Sequence, residues 1–165
     1  MEKVAKFEKI SYEQWRKDFG DNDDHSFDAV LDAIPMPTRA TKGSAGYDLS
    51  IPYAIDLYPG EDITVPTGLK CKIKSGWFMG IFSKSGLGFK YYLRLANTVG
   101  IIDEDYYNNE NNEGHIFVKI RNESDKALHL DACKSVAQAI FIPYGITEDD
   151  DSEGVRKGGL GSTNS

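Results

Sequence analysis

The strongest constraint on this chain is a period of two. In Leu69-Lys70-Cys71-Lys72-Ile73-Lys74, apolar and charged residues alternate, which buries one face of a strand and wets the other. Ile116, Val118 and Ile120 alternate in the same way with Phe117 and Lys119. Trp77 to Phe82 is a denser apolar run, and Val136 to Ile142 is nearly all apolar, as a central strand would be. Turn signals cut in at short intervals: Pro59-Gly60, Pro66-Thr67-Gly68 and Ser75-Gly76. Short strands so punctuated predict an all-β domain of sandwich, jelly-roll or barrel type, with few short helices. No internal repeat is visible.

At 165 residues the chain suits one domain with a real core. Its net charge of −7 argues against non-specific binding to nucleic acid or to a membrane surface, yet leaves room for a locally basic site that takes a small anion. No apolar run approaches a membrane span, and Met1-Glu2-Lys3-Val4-Ala5-Lys6 lacks a signal-peptide apolar region. Cys71 and Cys133 are too few and too far apart for a disulfide framework or a zinc site. A reducing, cytoplasmic setting is the simplest reading. His25, His115 and His129 are scattered and receive no role.

Residues 1–34 read as an N-terminal extension with a short helix. Ser11-Tyr12-Glu13-Gln14 fits a capping box, with Ser11 as N-cap and Gln14 returning the bond. Trp15 and Phe19 then share one helical face, and Gly20 to Asp24 ends the helix as a polar loop. Residues 35–144 form the β domain, led in by the rigid Pro35-Met36-Pro37. Residues 145–165 are an acidic linker followed by a small, Gly-rich, mobile tail.

Five stretches can carry chemistry. Gly43-Ser44-Ala45-Gly46-Tyr47-Asp48-Leu49 places an acid at a strand start. Asp48 there is a turn former, an anchor for a basic side chain, or a support for Mg²⁺-bound water. Lys84-Ser85-Gly86-Leu87-Gly88 follows a strand, and with Ser85 as N-cap a short helix would aim free N–H groups outwards, a ready phosphate site. In Asn97-Thr98-Val99-Gly100-Ile101-Ile102-Asp103-Glu104-Asp105-Tyr106, Gly100 marks a hairpin tip or a close ligand approach. Asp103 beside a water is a candidate general base. Tyr106 is either a pocket wall or core. Gln138, within Val136-Ala137-Gln138-Ala139-Ile140, must find hydrogen bonds in apolar company, from the protein or from a ligand. The tail offers Arg156 as a phosphate grip, with glycines at 154, 158, 159 and 161 that let the backbone wrap closely.

Taken in order, these stretches resemble the five motifs of the homotrimeric dUTPases, from about Pro37 to Ser165. Thr38 to Leu49 is similar to motif one, Ser85-Gly86-Leu87-Gly88 to motif two, Asn97 to Tyr106 to motif three, Val136-Ala137-Gln138 to motif four, and Gly158 to Thr163 to motif five. The resemblance implies a jelly-roll β subunit and a homotrimer whose active sites are shared between subunits. It implies hydrolysis of dUTP to dUMP and pyrophosphate, with Mg²⁺ held by the substrate phosphates and water and by no direct protein ligand. It further implies a role for each matching residue. Asp103 would hold the 3′-hydroxyl and the water that attacks the α-phosphorus. Tyr106 would pack under the sugar and exclude a 2′-hydroxyl. Asn97, with the backbone of Gly100, Ile101 and Ile102, would read the uracil edge in a hairpin. Lys84, Ser85 and Gly86 would bind phosphate oxygens, Gln138 the α-phosphate, and Asp48 the Mg²⁺ hydration shell. Arg156 would clamp the phosphates as the tail, with Leu160, Gly161 and Ser162, closes on a neighbour's pocket.

The chain departs from the family at several points. Lys84 replaces an arginine, losing the bidentate fork. Cys133-Lys134-Ser135 stands where Gly-Asp-Arg is usual. Tyr107 to Gly114 is a longer polar loop, and Leu160 replaces a stacking phenylalanine. Arg156 lies one residue nearer the glycines than is common. Two alternatives share the fold: a dCTP deaminase-type enzyme, and a non-catalytic relative that binds nucleotide or a protein. A lectin-like or structural β-sandwich ranks last, because it leaves five ordered motifs unexplained.

Overall fold

The computed structural model of the chain describes residues 1–19, 25–154, 156 and 159. Its strands are β1 (Ala5–Lys9), β2 (Tyr47–Ser50), β3 (Ile55–Leu57), β4 (Asp62–Pro66), β5 (Leu69–Ile73), β6 (Trp77–Ser83), β7 (Leu93–Leu95), β8 (Gly100–Ile102), β9 (Phe117–Asn122), β10 (Leu128–Leu130) and β11 (Ser135–Pro143). The α-helices are short: α1 (Tyr12–Phe19), α2 (Asp28–Ala33) and α3 (Ser85–Tyr91). The period of two is realised as expected. β5 buries Leu69, Cys71 and Ile73 and exposes Lys72, and β9 buries Val118 and Ile120 and exposes Lys119. Burial pushes the Cys71 thiol up to about 12, so it stays protonated and inert.

Every registered strand pair among the described residues is antiparallel. The sheets run β2-β11-β6-β8, β4-β9-β7, β1-β5 and β3-β10. They are open, and no closed barrel forms among the described residues. All but β1-β5 and β3-β10 have more than two strands, and a single core gathers side chains from each sheet, including Leu49, Leu57, Leu69, Ile81, Leu95 and Ile120. β11 lies between β2 and β6, paired on both edges. Ala137 and Ala139 are fully buried there.

The N-terminal segment joins this architecture through β1, which runs antiparallel to β5 from Ala5↔Ile73 to Lys9↔Leu69. Beyond it, Ile10, Trp15, Leu31 and Ile34 form a second, smaller core. Trp15 and Phe19 meet at 4.5 Å between ring centroids. Half of the predicted capping box is present: Gln14 N–H donates to Ser11 Oγ at 3.1 Å. The reciprocal half is not. Gln14 Nε2 donates instead to Asp18 Oδ1, and the Ser11 N–H donates to Glu113 Oε2 at 3.0 Å. A carboxylate distant in sequence out-competes the local amide because it is charged and also accepts from Ser11 Oγ at 2.7 Å. The polar loop expected at residues 20–24 lies outside the described residues.

Gly68 locks the second core to the main one. Its φ is +69°, and a Cβ there would lie 2.6 Å from Ile34 Cδ1 and 2.7 Å from Leu31 Cδ1. Its N–H also donates to His115 Nε2 at 2.9 Å. Gly68→Ala is therefore expected to cost about 2–4 kcal/mol, from a left-handed backbone and an overpacked contact. Urea unfolding at fixed protein concentration measures this. An unshifted midpoint would show that the second core yields freely.

Candidate active site

β6 carries the site residues in two groups. At its C-terminal end the chain passes through Lys84 into α3. Lys84, not Ser85, occupies the N-cap position. It is extended (φ −78°, ψ 129°), and no side chain caps the helix. Ser85 is already helical, so its hydroxyl is not the cap that the sequence predicts. A lysine cannot accept a hydrogen bond, which leaves the first-turn N–H groups of α3 without side-chain cover.

The Lys84 ammonium turns back across the sheet. It lies 2.8 Å from Asp48 Oδ1 on β2 and 3.1 Å from Ser135 Oγ on β11. Of the roles open to Asp48, the structure displays the anchor for a basic side chain. Gln138 is in register with Asp48 on one side and Phe82 on the other. Its amide Nε2 donates to the Ser83 carbonyl at 3.1 Å. Gly46 presses on the same amide: a Cβ at that position would stand 2.5 Å from Gln138 Oε1. Asp48, Lys84 and Gln138 thus form one polar cluster, with Ser85 and Gly86 next to it along the chain. Ser135 joins it unforeseen. It stands where the family often has arginine, and that position alone marked it in the sequence.

The turn at Cys133 leads into this cluster. Cys133 has φ +62°, a conformation that costs an L-residue about 1–2 kcal/mol and suits glycine, which is the residue motif four usually has here.

The second group lies toward the other end of β6. Gly100 is in register with Ile81 and Ile102 with Met79. The close approach at Gly100 is to protein, since a Cβ there would sit 3.2 Å from Ile81 Cβ. The expected hairpin takes another form. β7 pairs with β9 and β8 with β6, so the turn holding Asn97 links two sheets. Its sharpness shows in Thr98, at φ +65°. β8 is the last strand of its sheet among the described residues, so its outer backbone edge is available for pairing.

Asp103 follows β8 and is 47% exposed. Arg156 reaches it: Nη2 lies 2.5 Å from Asp103 Oδ2, and Nε lies 2.7 Å from Asp105 Oδ1. The guanidinium carbon is 6.0 Å from the centre of the Tyr106 ring. A fork across two carboxylates fits arginine geometry, but both acids are half-exposed, so the contact holds weakly. Tyr106 is 6% exposed. Burial raises its hydroxyl pKa, with the Asn112 hydrogen bond acting against it.

The two groups are far apart within one chain. Lys84 lies five residues beyond Met79, the partner of Ile102, so at ~3.3 Å per residue roughly 17 Å of β6 separates it from the start of the Asp103 segment. Leu160, Gly161 and Ser162 lie outside the described residues. Among those described, no three His, Cys, Asp or Glu side chains converge to hold a metal ion, and no helix is long and apolar enough to cross a membrane.

An antiparallel sheet protein with polar side chains gathered at strand ends, in motifs of fixed order, defines the class. The dUTPase family model matches residues 32–164. The chain is 39% identical over 132 residues to a deoxyuridine 5′-triphosphate nucleotidohydrolase of Lactococcus lactis subsp. lactis, covering 79% of this chain and 88% of that one. A Photorhabdus laumondii protein of the same name is 36% identical over 140 residues, covering 80% and 88%. The crystal structure of dUTPase from Streptococcus mutans superposes with a TM-score of 0.68 at 35% identity, covering 86% of this chain and 98% of that one. This chain belongs to the dUTPase family.

Replacing Cys133 by glycine is expected to raise stability by about 0.5–1 kcal/mol, the left-handed strain relieved less the added chain entropy. Denaturant melts of the two proteins side by side measure it. A loss of stability would mean that the cysteine side chain contributes packing here.

Proposed function

We propose that this protein hydrolyses dUTP to dUMP and pyrophosphate, and that it does so as a homotrimer. The observation that carries the reading is the division of the motif residues along β6. The Asp48–Lys84–Gln138 cluster suits phosphates, and Asp103 with Tyr106 suits the sugar and the attacking water. The two groups lie toward opposite ends of β6, which suits a site assembled from different subunits, as the resemblance to the homotrimeric dUTPases implies.

The roles follow from chemistry. Lys84 and the uncapped first turn of α3, at Ser85 and Gly86, would neutralise phosphate charge. The Gln138 amide would hydrogen-bond at the α-phosphate. The outer edge of β8 at Gly100, Ile101 and Ile102, with Asn97, would pair with the uracil edge. Asp103 would orient the water and accept its proton. Arg156, which bridges Asp103 and Asp105, would move to the phosphates, so phosphate binding would free the Asp103 carboxylate. The donor set fits Mg²⁺ carried in by the triphosphate: Asp48 is 37% exposed beside Lys84 and can face water, and no cage of direct ligands is needed. Mg²⁺ so bound supplies further charge neutralisation at the phosphates. The β domain of residues 35–144 would form the body, residues 145–165 the closing tail, with Leu160, Gly161 and Ser162 covering the base. The setting would be cytoplasmic.

The deciding assay is pyrophosphate release with Mg²⁺ from dUTP, dCTP, dTTP and UTP, with ammonia followed for dCTP. Turnover confined to dUTP is expected. Ammonia from dCTP would favour a deaminase, and binding without turnover a non-catalytic relative. Asp103→Asn is expected to leave a folded trimer and to lower kcat by roughly 10²–10⁴, the range for losing a general base. Near-normal turnover would remove Asp103 from that role. Deleting residues 155–165 should leave the trimer folded, by sedimentation, with severely reduced hydrolysis. Unchanged steady-state kinetics would show that the tail does not act as a lid.

A further inference from the structure

The loop of residues 107–114, where this chain departs from the family pattern, is built around Tyr106. The tyrosine is held at both ends. Its hydroxyl accepts from Asn112 Nδ2 at 2.8 Å and donates to the His115 carbonyl at 2.8 Å. Its own carbonyl accepts from Asn109 Nδ2 at 2.8 Å. The two asparagines bond each other, Asn109 Nδ2 to Asn112 Oδ1 at 2.8 Å, and Asn112 Oδ1 also accepts from Gly114 N–H at 3.1 Å. Asn109 Oδ1 accepts from the N–H groups of Asn111 and Asn112. Asn109 and Asn112 are 8% and 9% exposed, so water does not offer these groups an easy substitute.

The network is braced from outside by the N-terminal segment. His115 is fully buried. Gly68 N–H donates to its Nε2, so the proton sits on Nδ1, which faces Asp18 Oδ2 of α1. Glu113 accepts from Ser11 and pairs with Lys70 at 2.5 Å. The ring of Tyr106 therefore has little freedom to tilt.

We infer that Asn112 is a positioning residue for substrate selection: by fixing the Tyr106 hydroxyl it sets the wall that admits deoxyribose and refuses ribose. This rests on the proposed dUTP hydrolysis. A purely structural loop would need the network for stability alone. A positioning loop ties it to discrimination, because a small tilt of the ring opens room for one hydroxyl.

Asn112→Leu tests this. Leucine keeps the approximate shape and can neither donate to the Tyr106 hydroxyl nor accept from it. Asn111→Ala, in the same loop but with an exposed side chain, is the control. Values of kcat and KM for dUTP and UTP are measured for wild type and both variants, together with thermal midpoints. The UTP-to-dUTP ratio of kcat/KM should rise roughly three- to tenfold in Asn112→Leu, the factor that one hydrogen bond of ordinary net strength provides, and stay unchanged in Asn111→Ala. A lowered midpoint with an unchanged ratio would overturn the inference and leave a structural loop. Should Asn112→Leu fail to fold, Tyr106→Phe removes the same bond from the other side, and an unchanged ratio there overturns it equally. Wild type without dUTP turnover is a separate result, since it fells the hydrolase reading and this inference with it.

Discussion

The ladder between β6 and β11 is the constraint on which the rest of the molecule depends. It registers continuously from Ala137↔Ser83 to Pro143↔Trp77. It is buried at Met79, Ile81, Ala137 and Ala139, where a slip of one residue would turn every core side chain to the wrong face. That penalty fixes the spacing of everything attached to β6. β11 brings Gln138 beside Asp48, Lys84 leaves β6 at its end, and β8 hangs Asp103 off the opposite side. Positions of polar groups are thus decided by apolar packing.

Two polar networks ride on this frame, and their environments differ. The cluster at Lys84 is partly exposed: the lysine side chain is 30% and Asp48 37% accessible. Its groups can exchange partners at modest cost, as a ligand site requires. The network round Tyr106 is buried and fully partnered, and no buried side-chain polar atom among the described residues lacks a hydrogen bond. Such a network resists rearrangement. Under the proposed function, the adaptable groups would take the anion and the fixed wall the sugar.

The sequence made part of this legible. Alternation located β5 and β9, the apolar run at Val136 marked an inner strand, and the spacing of Trp15 and Phe19 placed them on one helical face. Motif order pointed to the family. What stayed hidden involved partners distant in sequence. Glu113 takes the Ser11 N–H that Gln14 was expected to serve. Ser85 enters the helix while Lys84 caps it without a side-chain bond. The asparagines after Tyr107 read only as a longer polar loop, since nothing local distinguishes a buried amide from a wet one. His115 carried no signal, because its partners Asp18 and Gly68 come from α1 and from the turn before β5.

The sequence by itself marked the stretches that become β5, β6, β9 and β11 and determined which residues carry charge and hydrogen-bonding capacity, because periodicity and residue chemistry are local properties. Only the tertiary structure decided which of those residues meet. Antiparallel pairing joins segments far apart in the chain, and register is set by whole-face burial. That is why Asp48, Lys84 and Gln138 share one end of β6 while Asp103 and Tyr106 lie toward the other.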